Sequence, residues 1–306
     1  MDFDQFNTFI EVARLGSFSR AAEKVLRSQP AVSAQIRQLE QEYGHKLLDR
    51  SAKAVKLTPA GEVILDYAVR LTELRKHSLQ AISEMNGVPA GTLTIGANEG
   101  TFLYVLPPVF TKYHRAFPKV RLNVYRSFTH KVVQKVEDGA IDLGLATLPL
   151  KSSSLVEVPV FRDRVMLMVS NRNPLAKKKS VTLKEIADCP LILPKTGSIR
   201  KIIEKSLRPH RDDLNITMEL TSVVMIKRFV TADFGISLVS ASFARDSVRR
   251  REVKLLNIEG LELWRELGLI YRKDRSLPRT ASAFVDIAMN ELTGSKKVLP
   301  PILTHD

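Results

Sequence analysis

Only one cysteine, Cys189, occurs among 306 residues, so no disulfide can close within a single chain and a two-thiol redox switch is excluded. Long apolar runs are missing too. No stretch approaches the length needed to cross a bilayer, and the acidic, aromatic start MDFDQF is not a secretory signal. Both absences lead to the expectation of a cytoplasmic protein without a membrane partner. Catalytic signatures are equally scarce: HExxH, CxxC, GxGxxG and GxxxxGK[ST] do not occur. The six histidines, His45, His77, His114, His130, His210 and His305, show no metal-ligand spacing. The expectation is a non-enzyme with no catalytic residue, no metal and no cofactor.

What is present is an ordinary globular balance, 44% hydrophobic and 26% charged, with a net charge of +14. That excess is unevenly placed. Residues 1–91 carry 12 Lys/Arg against 11 Asp/Glu, whereas residues 92–306 carry 35 against 22. The basic surplus therefore lies outside the first third and reads most simply as solubility, with attraction to an acidic ligand or to DNA as alternatives. The runs Lys177–Lys179 and Arg249–Arg251 read the same way, as solvated surface.

Local pattern is strongest near the start. Phe6, Phe9, Ile10 and Ala13 share one face of a helix from Asp4 to Leu15 that stops at Gly16. Ser17 or Ser19 caps a second short helix containing Ala21 and Ala22, and Ser28 caps a third with Pro30 in its first turn. Val32, Ile36, Leu39 and Tyr43 form the third helix's inward stripe. Its other face offers Gln29, Ser33, Ala34, Arg37 and Gln38, with no carboxylate before Glu40. Glutamine, serine and arginine are the side chains that pair with base edges in a major groove, although a solvated face has the same composition. Two short extended runs, 47–50 and 55–59, then flank a polar turn and read as a wing bringing Arg50, Lys53 and Lys56 to phosphates. Residues 17–58 carry a net +4.

From Pro59 the pattern predicts one helix to about Met85. Ala60, Ile64, Tyr67, Leu71, Leu74, Ser78, Ala81 and Met85 repeat at spacings of 4 and 3, a heptad seam suited to pairing with a second chain. Residues 87–91, Gly-Val-Pro-Ala-Gly, read as a hinge. Beyond it, short apolar strands alternate with helices, which predicts a parallel, doubly wound sheet. The expected strands include 93–97, 120–125, 141–146, 165–169, 191–193, 216–220, 236–239 and 267–271. The expected helices include 103–117, 131–138, 199–207, 223–232 and 280–291. Ligands in such sheets bind beyond the carboxyl ends of strands. Three turns fit that place: Asn98-Glu99-Gly100-Thr101, Ser127-Phe128-Thr129-His130 and Thr196-Gly197-Ser198. Their hydroxyls and free N–H groups favour an anion, with Lys131, Lys195 and Arg200 nearby, although each Ser or Thr also suits a simple helix cap. His130 reads as a surface histidine sooner than a base.

The segments GSFSRAAE (16–23), SQPAVSAQIRQLE (28–40) and LLDRSAKAVKLTPAG (47–61), with looser LTIG (93–96), LPPVF (106–110) and DGAIDLGLA (138–146), resemble the LysR-type transcriptional regulators. The chain departs from that pattern at Arg27, at Leu48-Asp49 and at Ala52. The resemblance implies an α/β protein with an N-terminal all-α winged helix-turn-helix (1–58) and a linker and dimerisation helix (59–86). After the hinge comes a two-lobed α/β effector domain like that of periplasmic binding proteins (92–306). Lobe I takes about 92–161 and 266–293, and lobe II about 162–265. It further implies double-stranded DNA, a small-molecule effector and RNA polymerase as partners, a homodimer or homotetramer, and Thr147 as another pocket-edge residue. A transport receptor lacks support from the N-terminal heptad helix, and a metabolic enzyme lacks a catalytic constellation.

Overall fold

Two glycine stops and two serine caps set the first three helices of the computed structural model, which describes residues 2–49, 55–84, 89–209, 214–274 and 276–293. Helix α1 (Phe3–Leu15) begins earlier than its apolar stripe suggests, because Asp2 and Gln5 cap it reciprocally, backbone to side chain at 2.7 and 2.9 Å. Gly16 ends it at φ 59°, donating to the Val12 carbonyl. Ser17 caps α2 (Phe18–Lys24) and Ser28 caps α3 (Gln29–Tyr43). Phe6, Phe9, Val12, Val32, Ile36 and Leu39 close over the small Ala21 and Ala22, so α2 sits tight against its neighbours.

Two short antiparallel strands follow, β1 (Leu48–Asp49) and β2 (Lys56–Leu57), with Leu48 opposite Leu57. Helix α4 (Pro59–Glu84) starts against them: the Thr58 hydroxyl accepts from the Gly61 N–H and donates to the Lys46 carbonyl. A β-carbon at Gly61 would stand 2.0 Å from the Leu47 carbonyl oxygen, so only glycine allows this approach. These elements form the first compact unit; those from β3 onward form the second.

The second unit opens with β3 (Gly91–Ala97), α5 (Glu99–Tyr104), α6 (Pro107–Ala116), β4 (Val120–Arg126), α7 (Thr129–Glu137) and β5 (Leu143–Leu148). The single helix expected over 103–117 is two. Pro107 has no N–H to return to the Leu103 carbonyl, and it opens α6 instead. Strand β6 (Leu155–Ser170) then crosses into the second lobe, which holds β7 (Ser180–Val181), α8 (Leu183–Ala187), β8 (Leu191–Pro194), α9 (Ser198–Leu207), β9 (Ile216–Leu220), α10 (Val223–Thr231), β10 (Ser237–Ser240), α11 (Ala241–Arg249) and β11 (Val253–Ile258). Strand β12 (Leu263–Arg272) crosses back, and α12 (Arg279–Thr293) packs on the first lobe.

The sheet is not uniformly parallel as the alternation predicted. Pairing is parallel for β4–β3–β5 and β8–β9, but β12 runs antiparallel to β5 and β6, and β10 and β11 run antiparallel to β6. The two crossing strands carry the chain in opposite directions, which forces the reversal. Of β6, only 165–169 was expected as strand. Its first half contains Pro159, which lies opposite Gly268 where the register with β12 shifts, an irregularity that tolerates a missing N–H. Separate cores fill each lobe, around Leu93, Leu145 and Phe284 in the first and around Leu167, Leu193 and Leu238 in the second.

Candidate nucleic-acid interface and ligand cleft

The outer face of α3 exposes Gln29, Pro30, Arg37 and Gln38, with Ser33 and Ala34 half-buried beside them. Two neighbouring glutamines are committed to holding the helix: the Thr8 hydroxyl donates to Gln35 at 2.7 Å, and the Gln5 amide donates to Gln38 at 3.0 Å. Arg37 has no hydrogen-bond or ion-pair partner among the described residues, so its guanidinium faces solvent uncompensated. Glu40, the first carboxylate of α3, points the other way, while Glu42 stays exposed one turn beyond Gln38. Glu40 is 4% exposed and accepts from the backbone N–H groups of Leu47 and Leu48 at 2.9 and 3.3 Å. One side chain thus keeps its own charge off the reading face and fastens the wing's first strand to α3. Arg27, a departure from the family pattern, pairs with Asp4 at 2.9 Å across α1. Lys56 is exposed on β2; Arg50 and Lys53 lie outside the described residues.

Helix α4 has two apolar faces. Ile64, Leu65, Ala68 and Leu71 turn into the core of their own unit. Val63, Tyr67 and Leu74 form the second and stay 56–60% exposed, while Leu79 and Ile82 continue the first face beyond that core, at 54% and 65% exposed. Of the expected seam, Tyr67 and Leu74 are therefore on the open face, while Ile64 and Leu71 are partly spent within the chain. The Ala81 side chain and Met85 fall outside the described part.

In the second unit, β4, β3 and β5 are adjacent and parallel, so their carboxyl ends line one edge. Asn98 and Thr101 follow β3, Ser127 and Thr129 follow β4, and Thr147 lies near the end of β5. Asn98 caps α5 by accepting from the Thr101 N–H at 2.9 Å. The Thr101 hydroxyl itself, like that of Thr147, is buried with no partner among the described residues. Buried hydroxyls without partners are uncommon and point to a missing hydrogen-bonding group. Gly100 is closed off from ligand: a β-carbon there would strike the Phe243 ring at 2.4 Å.

The other lobe meets this edge. The Thr129 hydroxyl, at the start of α7, lies 3.2 Å from that of Ser198, at the start of α9. Gly197 before it holds φ 102°, and α9 has no side-chain cap, so its first N–H groups stay open. Glu99 also spans the lobes. It pairs with Arg126 at 3.0 Å and accepts from the Ser222 hydroxyl and the Val223 N–H at 2.9 and 3.2 Å, at the start of α10. The sequence held no sign of Ser222 or Val223 as partners, since they lie more than 120 residues away.

Of the cations expected near the cleft, Lys131 and Lys195 are exposed. Arg200 is instead bound to Glu204, Glu219 and the Pro194 carbonyl; burial pushes its pKa down, and the two glutamates more than offset this. Thr196 is exposed, Ser127 donates its N–H to the Ala97 carbonyl, and exposed His130 stacks on Phe128. Among the described residues no cluster of three His, Cys, Asp or Glu is placed to hold a metal, and no helix is long and apolar enough to cross a membrane.

Residues 3–62 match the family described as bacterial regulatory helix-turn-helix protein, lysR family, and residues 86–293 match the LysR substrate binding domain. A probable RuBisCO transcriptional regulator from Synechocystis sp. is 28% identical over 309 residues, covering 99% of this chain and 87% of that protein. Full-length OxyR from Pseudomonas aeruginosa has a TM-score of 0.71 at 25% identity, over 94% of both chains. CbnR complexed with its target DNA shares the fold, with a TM-score of 0.70 at 22% identity over 94% of this chain and 99% of that one.

Proposed function

Because this chain belongs to the LysR family of bacterial transcriptional regulators, we propose that it reads DNA through α3 and is switched by a small anionic molecule held between the lobes of its second unit. An α3 face with no carboxylate from Gln29 to Leu39 carries this reading: Glu40 is turned inward while Arg37 is exposed, with no partner among the described residues. In this reading Gln29, Pro30, Ser33, Ala34 and Arg37 enter the major groove, and Arg50, Lys53 and Lys56 hold phosphates. The exposed stripe Val63, Tyr67 and Leu74, with exposed Leu79 and Ile82 further along the helix, pairs two copies, so that two reading heads meet a roughly palindromic site.

The switch rests on different chemistry. Orphaned hydroxyls on Thr101 and Thr147, with the open start of α9 where Ser198 meets Thr129 of α7, suit a carboxylate or similar anion. Asn98, Ser127, Thr196 and Gly197 edge the same cleft, and Arg126 neutralises Glu99 so that it does not repel such a ligand. A ligand that prefers one lobe arrangement shifts the population toward it and alters how paired heads engage DNA. The chain acts by binding and not by catalysis, in the cytoplasm, with RNA polymerase as the downstream partner.

A thermal-shift screen with small carboxylates and aromatic acids identifies the ligand, which raises the melting temperature by binding the native state. Ser198→Ala and Thr101→Val then keep operator binding and blunt the ligand response. An unchanged response in both variants removes these residues from the cleft.

A further inference from the structure

A second concavity of about 420 Å³ lies between α10, the end of α11 and Tyr104 of α5, and it shares no residue with the cleft described above. At its base is Lys227, whose residue is only 9% exposed. The Lys227 ammonium donates to the Tyr104 hydroxyl at 3.2 Å and sits 4.4 Å from the centre of that ring. Among the described residues no carboxylate lies within ion-pair distance of it. Burial pushes its pKa down; Asp246 offsets this in part, and Arg250 adds to it. Around the opening stand Arg228 and Arg250, the latter tied to Glu252 at 2.8 and 3.3 Å. Ser247 adds a hydroxyl to the wall.

A buried ammonium facing a phenol retains two N–H donors and a charge only partly offset by Asp246 and Glu252, which is costly unless something anionic completes it. The lining holds three cations and one carboxylate, and Asp246 acts on Lys227 from beside it, so the surplus stays positive and the complement is anionic. A tetrahedral group with three terminal oxygens uses the ammonium, the Arg228 fork and the hydroxyls together, and the volume lies within the range typical of small-molecule sites, about 300–1,000 Å³.

We propose that this concavity is a second ligand site, for a small dianion of the phosphate-monoester class. Because Tyr104 and Lys227 join α5 of one lobe to α10 of the other, occupancy acts on the helix pair that Glu99 also bridges. A phosphate drawn onto Lys227 therefore reweights the contact between lobes from a site separate from the first cleft.

The test titrates inorganic phosphate into the full-length chain by calorimetry and thermal shift, against chloride and succinate at matched ionic strength. The expected result is a phosphate-dependent rise in melting temperature that succinate does not reproduce. Arg228→Ala, at an exposed position, weakens phosphate affinity about tenfold, the scale of one lost charge-assisted contact. Lys227→Met abolishes the shift while melting no lower than the parent, because an apolar chain replaces a buried charge. Phosphate behaving as chloride does, or Arg228→Ala binding phosphate as the parent does, overturns the proposal. So does loss of the phosphate shift in Ser198→Ala but not in Arg228→Ala, which puts the anion in the first cleft.

Discussion

Replacing Glu40 by alanine tests whether the wing is held by the mechanism described. Leu47 and Leu48 are 0% and 3% exposed, so water cannot take over the two N–H bonds that Glu40 accepts at 2.9 and 3.3 Å. Each orphaned buried donor costs about 1–3 kcal/mol, and the longer bond falls at the weak end, giving about 2–4 kcal/mol. The Lys46 contact at 3.4 Å adds little, since that lysine side chain is 76% exposed. Glu40→Gln keeps an acceptor oxygen and is expected to lose about 1 kcal/mol. Urea unfolding provides the readout. With a slope of about 1.5 kcal/mol per molar, the helical transition of the first unit moves down by about 1–3 M in the alanine variant. Trp264, the single tryptophan, lies on β12 in the second unit, and its fluorescence transition stays in place. A Glu40→Ala midpoint equal to the parent's refutes the reasoning, as does an alanine variant no weaker than Glu40→Gln.

Two further perturbations address the second unit. Arg265 and Asp163 are 1% and 2% exposed at the strand crossover, 3.2 Å apart, with the Ser242 hydroxyl donating to Asp163 at 2.6 Å. Arg265→Met strands that carboxylate and costs about 3–5 kcal/mol, while adding Asp163→Leu recovers most of the loss; Trp264 fluorescence in urea follows both. The Glu185 carboxyl is held down to about 2 from an ordinary 4.5, first by the Lys178 hydrogen bond and then by the Thr182 N–H. A depressed carboxyl pKa adds stability above its unfolded value, which is lost as pH falls from about 4.5 toward 2. Glu185→Gln therefore flattens the acid limb of a melting-temperature-against-pH curve, and identical limbs refute the assignment.

The first unit was the more legible half because its information is local. Gly16, Ser17, Ser28 and the Val32–Ile36–Leu39 stripe act within one or two turns, and caps and periodicity report such contacts directly. The phase of α4 was less readable: Ile64 and Tyr67 are both apolar and three residues apart, and only the packed core shows which belongs inside. In the second unit, β6 hid its first ten residues behind Pro159, Arg162, Asp163 and Arg164: the register shift accommodates Pro159, Arg265 pairs with Asp163, and Arg162 and Arg164 lie over the Trp264 ring. Helix α11 and strand β11 went unforeseen; α11 buries small residues such as Ala241, Ala244 and Ser247, which leave little apolar stripe. The turns after β3 and β4 and before α9 were found from hydroxyl content. That Thr129 meets Ser198, or that Glu99 reaches Ser222, depends on chain crossings no short window contains.

The central claim is that α3 reads sequence and that Arg37 takes part. Footprinting of the purified chain on its own upstream DNA, with Arg37→Ala alongside and random duplex as competitor, tests it most directly. The account predicts protection of two related half-sites, weakened in Arg37→Ala by about 1–3 kcal/mol, with binding to random duplex nearly unchanged. Absence of any protected site at moderate salt, or equal losses on specific and random DNA, contradicts it.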